Sequence, residues 1–221
     1  MVGIQRRHGN YMIIATVTSC PRRWNDYQRL RRKFESLNLG FDLRTFQTTE
    51  CPGDAFANNN LNARSALLYC WRHLRGDNDW MLYLEDDIQI SPQLAAVLPE
   101  LLETDELDAV DLWYLCNRKN PVIEQFRVGG LVLNRLDYPI DGSHALLIPR
   151  RHIPLMLDVH WGQPADRSMF AAIHSFSWKV FQIISPVLVE HTGEYSTYDP
   201  HTRRKLEVNY AAGPNTNPTC E

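Results

Sequence analysis

The sequence has few of the features that mark a disulfide-stapled, zinc-binding or membrane-spanning protein. Its five cysteines are widely spaced along 221 residues and form no C-x-x-C pair. This spacing excludes a zinc ribbon and argues against a disulfide framework. The longest apolar stretches, such as residues 12–15 (MIIA), are far too short to span a bilayer. No adequate apolar run follows Arg6 and Arg7, so we expect no signal peptide and a soluble protein in a reducing, cytoplasmic compartment.

Two common catalytic signatures are also missing. The sequence contains neither the G-x-x-x-x-G-K-[ST] loop of kinases and ATPases nor the G-x-S-x-G turn of hydrolases. A net charge of −3 argues against a globally basic nucleic-acid-binding protein. With 44% hydrophobic and 22% charged residues, the chain can bury a sizeable core. We expect one domain over residues 1–210, followed by a flexible C-terminal tail, 211–221 (AAGPNTNPTCE).

The near-neutral balance hides a basic segment and an acidic segment. Residues 1–40 hold eight Lys or Arg residues and two acids, whereas residues 77–111 hold eleven acids and no Lys or Arg. Solvated helix faces would explain most of these charges. The alternative is a bound anion near the first segment and a bound cation near the second.

Apolar runs and helical spacings alternate along the chain. The predicted strands are 11–18, 41–47, 80–84, 109–115, 144–148, 180–184 and 187–189. The predicted helices are 24–37, 62–75, one after Pro92, 149–159 and 163–173. Residues 50–60 and 116–142 have few periodic signals and are predicted to be loops or, in the second case, a small excursion. This alternation predicts an α/β/α sandwich with a mixed, mostly parallel sheet.

Three consecutive carboxylates, Glu85, Asp86 and Asp87, directly follow the apolar strand 80–84. Open α/β sheets bind ligands at the carboxyl ends of their strands. Adjacent acids repel one another unless a cation neutralises them. Mg²⁺ and similar hard ions bind one or two carboxylates together with substrate phosphate oxygens. The motif therefore indicates a divalent-metal site, with a solvated acidic loop as the alternative.

The segment 80–88 (WMLYLEDDI) resembles the metal-binding turn of GT-A glycosyltransferases, in which an acid-x-acid motif follows a hydrophobic strand. The resemblance implies a Rossmann-like GT-A fold and a metal that bridges the diphosphate of a nucleotide-sugar. It makes Asp87 the metal ligand and places Glu85 against metal-bound water or the ribose, with Asp86 in the donor site. The first acid is Glu here, where the DXD-type motif has Asp.

A second patch, 190–196 (EHTGEYS), resembles the H-x-G-x-x-S signature near the C-terminal end of some GT-A enzymes. By this resemblance His191 would bind the same metal or the diphosphate. Imidazole suits Mn²⁺ better than Mg²⁺, so Mn²⁺ is the expected ion and Mg²⁺ the alternative. A packed or surface histidine is the other interpretation of His191.

A third patch resembles the acceptor side of the lipooligosaccharide-type galactosyltransferases. It comprises 142–148 (GSHALLI) and then 164–166 (PAD). The resemblance implies that Ser143 and His144 contact the acceptor and that Asp166 is the catalytic base. Asp166 also begins a predicted helix, so an N-cap is the alternative role.

The donor nucleotide is expected at the end of the first strand, as in GT-A enzymes. Hydroxyl groups there can bind ribose or base edges, and an arginine can reach a phosphate. The candidates are Thr16, Thr18, Ser19 and Arg22, with Arg64 on the helix before the acidic strand.

Together these patches predict a metal-dependent hexosyl- or pentosyltransferase that transfers from a nucleotide-sugar with inversion. The expected acceptor is a glycan or lipid-linked sugar. The basic stretches 29–33, 150–151 and 203–205 leave a hydroxylated base in phage DNA as a second possibility. A metal-dependent phosphohydrolase or nuclease, and a non-catalytic nucleotide-sugar-binding domain, are the competing classes.

Overall fold

The computed structural model describes residues 7–8, 11–47, 55–104, 107–113, 122–136, 144–162 and 165–192. These ranges contain eleven strands and five α-helices. The strands are β1 (Arg7–His8), β2 (Tyr11–Thr18), β3 (Leu43–Phe46), β4 (Trp80–Glu85), β5 (Ile88–Ile90), β6 (Ala109–Asp111), β7 (Val122–Val128), β8 (Leu131–Leu136), β9 (Ala145–Pro149), β10 (Val180–Ser185) and β11 (Val189–His191). The helices are α1 (Trp24–Ser36), α2 (Ala55–His73), α3 (Leu94–Leu102), α4 (Ile153–Asp158) and α5 (Ala165–Ser175). The predicted tail, 211–221, lies outside the described residues.

Hydrophobic periodicity explains the first two long elements. All eight residues of β2 are buried, as expected for an apolar, β-branched run in the centre of a sheet. Helix α1 buries Tyr27, Leu30 and Phe34, which share one face at helical spacing. Trp24 was predicted on that face but is 49% exposed, because it occupies the first position of the helix.

The main sheet has the order β1-β2-β4-β9-β6-β10-β8-β7, with β3 beside β2. The predicted mixed α/β sheet is confirmed. Its described pairings are three parallel and five antiparallel, so the expectation of a mostly parallel sheet was wrong. Parallel pairs are confined to β2 with β3, β2 with β4, and β6 with β10.

A missed hairpin accounts for much of this difference. The loop predicted over 116–142 contains β7 and β8, which pair antiparallel at the end of the sheet. Strand β7 (VIEQFRV) is largely exposed, so its sequence lacks the alternation of a half-buried strand. The turn is made by Gly129, whose φ of 55° favours glycine, and Gly130.

Two other predictions of secondary structure were wrong. Helix α2 begins at Ala55, so residues 55–60 of the predicted loop are helical. Asparagines give this stretch a low helix propensity, and tertiary packing overrides it, since Asn60 is buried. The short strand β5 was also missed, and it pairs antiparallel with β11 in a separate two-stranded sheet.

Helices cover both faces of the sheet, as the predicted sandwich requires. One apolar cluster joins α1 and α3 to the sheet, with Leu30 and Leu98 among its buried members. The other joins α2, α4 and α5 to the opposite face, with Leu67, Met156 and Met169 buried there. None of the helices in the described ranges is long and apolar enough to cross a membrane.

The strand directions bring several chain segments to one edge of the sheet. Strands β2, β4 and β6 run in the same direction, because β4 and β6 are both antiparallel to β9. Their carboxyl ends carry Thr18, Glu85 and Asp111, and the amino end of β9 meets them there. The Glu85 N–H donates to the His144 carbonyl oxygen at 2.9 Å. This edge is the place where the acidic motif and His144 converge.

Candidate metal and donor site

The two aspartates of the acidic motif are buried in the turn between β4 and β5. Asp86 is 3% exposed and Asp87 is 2% exposed. Asp86 Oδ2 and Asp87 Oδ1 have no hydrogen-bond partner among the described residues. Buried polar atoms are normally partnered, and buried charges are normally paired or bound to a metal. The solvated-loop interpretation therefore fails for Asp86 and Asp87, and the unpartnered oxygens fit a cation site.

Arg23 partly neutralises these aspartates. Its Nη1 lies 3.1 Å from Asp86 Oδ1 and also contacts Asp87 Oδ2. Burial by itself would lower the pKa of Arg23, but the charges of Asp87 and Asp86 outweigh burial and raise it above its usual range. Burial raises the pKa of Asp86 to about 7, although Arg23 opposes the shift. The Arg23 guanidinium therefore offsets part of the negative charge of the motif.

Arg22 was the predicted phosphate ligand, and its side chain is outside the described part of the structure; Arg23 was not predicted. Both arginines belong to the short 3₁₀ turn that follows β2. The basic run near the end of β2 was the available signal, but it could not tell which arginine faces the acids.

His191 reaches Asp87 across 104 residues of sequence, with Nε2 2.8 Å from Asp87 Oδ2. The pairing of β11 with β5 sets His191 opposite Ile88. The Thr192 N–H also donates to the Asp87 carbonyl oxygen at 2.7 Å. Burial by itself would raise the pKa of Asp87, but the hydrogen bond from His191 and the charge of Arg23 hold it below its usual range. The structure thus brings together the two residues that were predicted as metal ligands.

His144 is the third member of this cluster. Its Nδ1 lies 2.6 Å from Glu85 Oε2, and its ring centroid lies 4.3 Å from that of His191. The Trp113 ring forms a T-shaped contact with the His144 ring, at a centroid distance of 4.5 Å. In a neutral imidazole, a proton donated from Nδ1 to a carboxylate leaves Nε2 as the metal-binding nitrogen. The predicted contact of His144 with the acceptor stays a prediction, and the structure places His144 beside Asp87 and His191 in a set of residues that fits a metal ion.

Asp87, His144 and His191 together form a set that fits a divalent ion. Each offers one ligand atom, these atoms lie within 4.8 Å of one another, and all three residues are buried. A carboxylate with two imidazoles suits a transition ion such as Mn²⁺ better than Mg²⁺. Glu85 contacts His144, and its predicted role in the donor site stays a prediction.

The contact between Glu85 and His144 yields a testable expectation. Glu85→Gln removes the charge that holds the Nδ1 proton of His144, so we expect the affinity for Mn²⁺ to fall about 10–100-fold. Electron paramagnetic resonance of free Mn²⁺ measures this affinity directly. Glu35→Gln is the matched control, because Glu35 is exposed on α1 and pairs only on the surface with Arg31. Equal affinity in both variants would show that Glu85 does not orient a ligand.

The predicted donor residues on β2 are mostly engaged within the fold. Thr16 is completely buried, and its Oγ1 lies 3.5 Å from the Leu82 carbonyl oxygen. Thr18 Oγ1 lies 3.1 Å from the Tyr83 hydroxyl. Ser19 is buried at the strand end, where its carbonyl oxygen accepts a hydrogen bond from Asn62. The threonines therefore have core-packing roles, and their contact with a nucleotide stays a prediction.

Three other candidates are not brought into the cluster by any described contact. Arg64 is exposed on α2. Asp166 lies in the first turn of α5, whose backbone begins at Ala165, and its side chain is outside the described part of the structure. Ser143 also lies outside the described residues. Their predicted roles as a donor ligand, catalytic base and acceptor ligand remain predictions.

Asp111 is a buried acid that sequence analysis did not select. It ends β6 at the same edge as the cluster, is 1% exposed, and accepts a hydrogen bond from the Trp113 N–H at 3.1 Å. Burial raises its pKa to about 8, against the opposing effects of the Trp113 hydrogen bond and His144. Its position after an apolar strand, like that of Glu85, was the signal that could have found it.

Comparison with known proteins identifies the type of fold. No protein-family model matches the chain, and no curated protein matches its sequence significantly. A glycosyltransferase involved in the glycosylation of the major capsid of PBCV-1 has a TM-score of 0.52 and 9% identity, covering 83% of this chain and 94% of its own. At this identity the likeness shows the fold alone, and it confirms the predicted GT-A-type α/β fold.

Two further solved structures are more distant. A variant of Drosophila β-1,4-galactosyltransferase 7, solved with manganese, UDP-Gal and xylobiose, has a TM-score of 0.47 and 14% identity, covering 88% of this chain and 77% of its own. An inositol-1-phosphate CTP transferase from T. maritima has a TM-score of 0.42 and 12% identity, covering 80% and 86%. These two likenesses are too weak to support an argument about activity.

Proposed function

We propose that the chain is a metal-dependent glycosyltransferase that moves a sugar from a nucleotide-sugar to an acceptor hydroxyl with inversion. The observation that carries the proposal is the buried set of Asp87, His144 and His191 at the carboxyl edge of a GT-A-type sheet. In open α/β sheets this edge is where ligands bind. The resemblance to the lipooligosaccharide-type galactosyltransferases supports the proposal through the sequence motifs.

The metal site supplies the electrostatic part of the reaction. A bound divalent ion would neutralise the charge that builds on the departing nucleoside diphosphate. Asp87, His144 and His191 would hold this ion, and the Glu85 carboxylate keeps the His144 ring in its tautomer and orientation. Ser19, Arg22 and Arg64 remain the candidates for contact with the nucleotide.

Asp166 is the proposed general base for inversion. Its carboxylate would take the proton of the acceptor hydroxyl as that oxygen bonds to the anomeric carbon and the bond to the diphosphate breaks. The support for this role is the sequence resemblance of 164–166 (PAD) to the acceptor side of the lipooligosaccharide-type galactosyltransferases. A single displacement of this kind inverts the anomeric configuration.

The basic stretches favour a glycan or lipid-linked sugar over DNA as the acceptor. The Arg150 guanidinium lies 4.0 Å from the Trp71 ring centroid, and its Nε donates to the Leu74 carbonyl oxygen. Arg151 donates to the Leu107 carbonyl oxygen and pairs with Asp108. The pair 150–151 is thus committed to the fold. Among the described stretches only 29–33 on α1 is left to contact a polyanion, which is few charges for a DNA-binding surface.

A panel of donors tests the proposal. The protein is incubated with Mn²⁺ and nucleotide-sugars that differ in base and sugar, and release of the nucleoside diphosphate is followed. We expect release from one donor and none without metal, and the anomeric configuration of the product reports inversion. Parallel assays supply a nucleoside triphosphate with sugar phosphates, or a phosphodiester. Turnover in those assays alone would replace the proposal by a nucleotidyltransferase or a phosphohydrolase.

A further inference from the structure

Arg23 occupies a position beside the acidic motif. A cation bound by the same carboxylates would need that position. The Arg23 guanidinium contacts Asp86 Oδ1 and Asp87 Oδ2, and Asp87 Oδ2 also accepts the hydrogen bond from His191. Asp87 is one of the three residues that fit a metal ion. The arginine and the ion are therefore competitors for the same carboxylate.

Arg23 neutralises only part of the negative charge of the two aspartates. Two adjacent buried carboxylates face one guanidinium, and Asp86 Oδ2 and Asp87 Oδ1 have no partner within the described part of the chain. A divalent ion carries twice the charge of the guanidinium. An ion bound by the imidazoles as well as Asp87 would thus compete effectively, provided that Arg23 gains another partner.

The geometry at Arg23 allows such an exchange. Its side chain is 16% exposed and extends from a three-residue 3₁₀ turn, not from the middle of a strand or helix. That turn follows β2, so it lies at the same edge of the sheet as the acidic motif. A guanidinium binds phosphate oxygens through two parallel hydrogen bonds, and it keeps its charge at any physiological pH.

We propose that Arg23 takes the place of the metal ion while the site holds none. When the ion binds, the Arg23 guanidinium leaves the aspartates and binds the diphosphate of the donor. The part that concerns the diphosphate rests on the proposed function, whereas the competition with the ion does not. The exchange couples the two ligands. Metal alone displaces Arg23 from the two aspartates without supplying another anion, whereas metal with a diphosphate supplies phosphate oxygens that the guanidinium can bind. Metal and nucleoside diphosphate therefore bind with positive cooperativity.

Arg23→Gln tests the competition. We expect the affinity for Mn²⁺ alone, measured by electron paramagnetic resonance, to rise about tenfold, because the competing charge is gone. In the wild type, UDP, GDP, CDP, ADP or dTDP should increase the affinity for Mn²⁺, and Arg23→Gln should lose most of that increase. A purely structural ion pair predicts the reverse for Mn²⁺ alone, namely an unchanged or lower affinity, and this result would overturn the proposal. Undetectable binding of Mn²⁺ in both proteins would also overturn it.

Two further variants keep the test interpretable. Arg23→Lys retains the charge without the planar fork, so we expect weak binding of Mn²⁺ alone and a smaller gain from the nucleotide. This variant decides the outcome if Arg23→Gln does not fold. Arg135→Gln is the control, since Arg135 lies on β8 and pairs only loosely with Glu124 at 3.9 Å. It should bind Mn²⁺ as the wild type does.

Different results would contradict the proposed function and the proposed exchange of Arg23 between ligands. If Arg23→Gln gains affinity for Mn²⁺ but no nucleotide alters metal binding in the wild type, the competition stands, and the diphosphate exchange and the proposed function are wrong. If nucleotides enhance binding of Mn²⁺ equally in the wild type and Arg23→Gln, the proposed function stands and the exchange is wrong.

Discussion

Replacement of Asp87 by Asn is expected to lower kcat/KM for sugar transfer by about a thousandfold or more. The metal contributes several kcal/mol of charge stabilisation in the transition state, and each 1.4 kcal/mol corresponds to about tenfold in rate. Asn has the shape of Asp but no charge, so it is a poor ligand for a divalent ion. It also removes the carboxylate that accepts the His191 hydrogen bond and the Arg23 contact.

The variant is assayed for transfer and for Mn²⁺ binding in the same preparation. Arg23 still has Asp86 as a partner, so we expect the fold to persist, and the thermal unfolding midpoint verifies this. Asp42→Asn, which changes an exposed acid next to β3, should keep wild-type activity. Full transfer activity in Asp87→Asn after loss of Mn²⁺ binding would show that the reaction does not need this ion.

The free energy of unfolding is expected to fall between about pH 4 and pH 8 because of Asp111. Burial raises the pKa of its carboxyl to about 8 in the folded protein. The ordinary value in an unfolded chain is about 3.9. Between these values the folded protein keeps a proton that the unfolded chain has lost, so stability decreases as pH rises. The loss amounts to at most about 6 kcal/mol and is complete above the folded pKa.

Asp111→Asn isolates this contribution. Asn stays neutral at all these pH values and keeps an oxygen that accepts the Trp113 N–H. Denaturant unfolding of both proteins at pH 5 and pH 8 gives the comparison, and other titrating groups largely cancel in the difference. We expect similar stabilities at pH 5 and a variant more stable by several kcal/mol at pH 8. Parallel pH profiles would mean that Asp111 has an ordinary pKa.

The elements that sequence analysis predicted well share one property, which is burial of a continuous apolar face. Strands β2 and β4 and helix α1 were found because the core determines their hydrophobic pattern. The β7–β8 hairpin was missed because β7 lies at the end of the sheet with most of its side chains exposed. Pairing between strands, not sequence pattern, holds that segment in place.

The site was predicted only where a motif marked it. Asp87 and His191 belong to two such motifs, and the structure brings them together. The positions of His144 and Arg23 depend on the direction of the strands and on the orientation of a short turn. Neither the strand direction nor the turn orientation can be inferred from residue spacing. Asp111 ends an apolar strand as Glu85 does, but its nearness to the acidic motif depends on β9, which lies between β4 and β6 and pairs antiparallel with both.

The most direct test is a crystal structure grown with Mn²⁺ and a nucleoside diphosphate, with the ion located by its anomalous scattering. We expect one strong anomalous peak bonded to Asp87, His144 and His191, with Arg23 turned away from the aspartates toward the diphosphate. A peak at some other place on the protein, or no peak while Arg23 still pairs with Asp86 and Asp87, would contradict the metal site on which the proposed function depends.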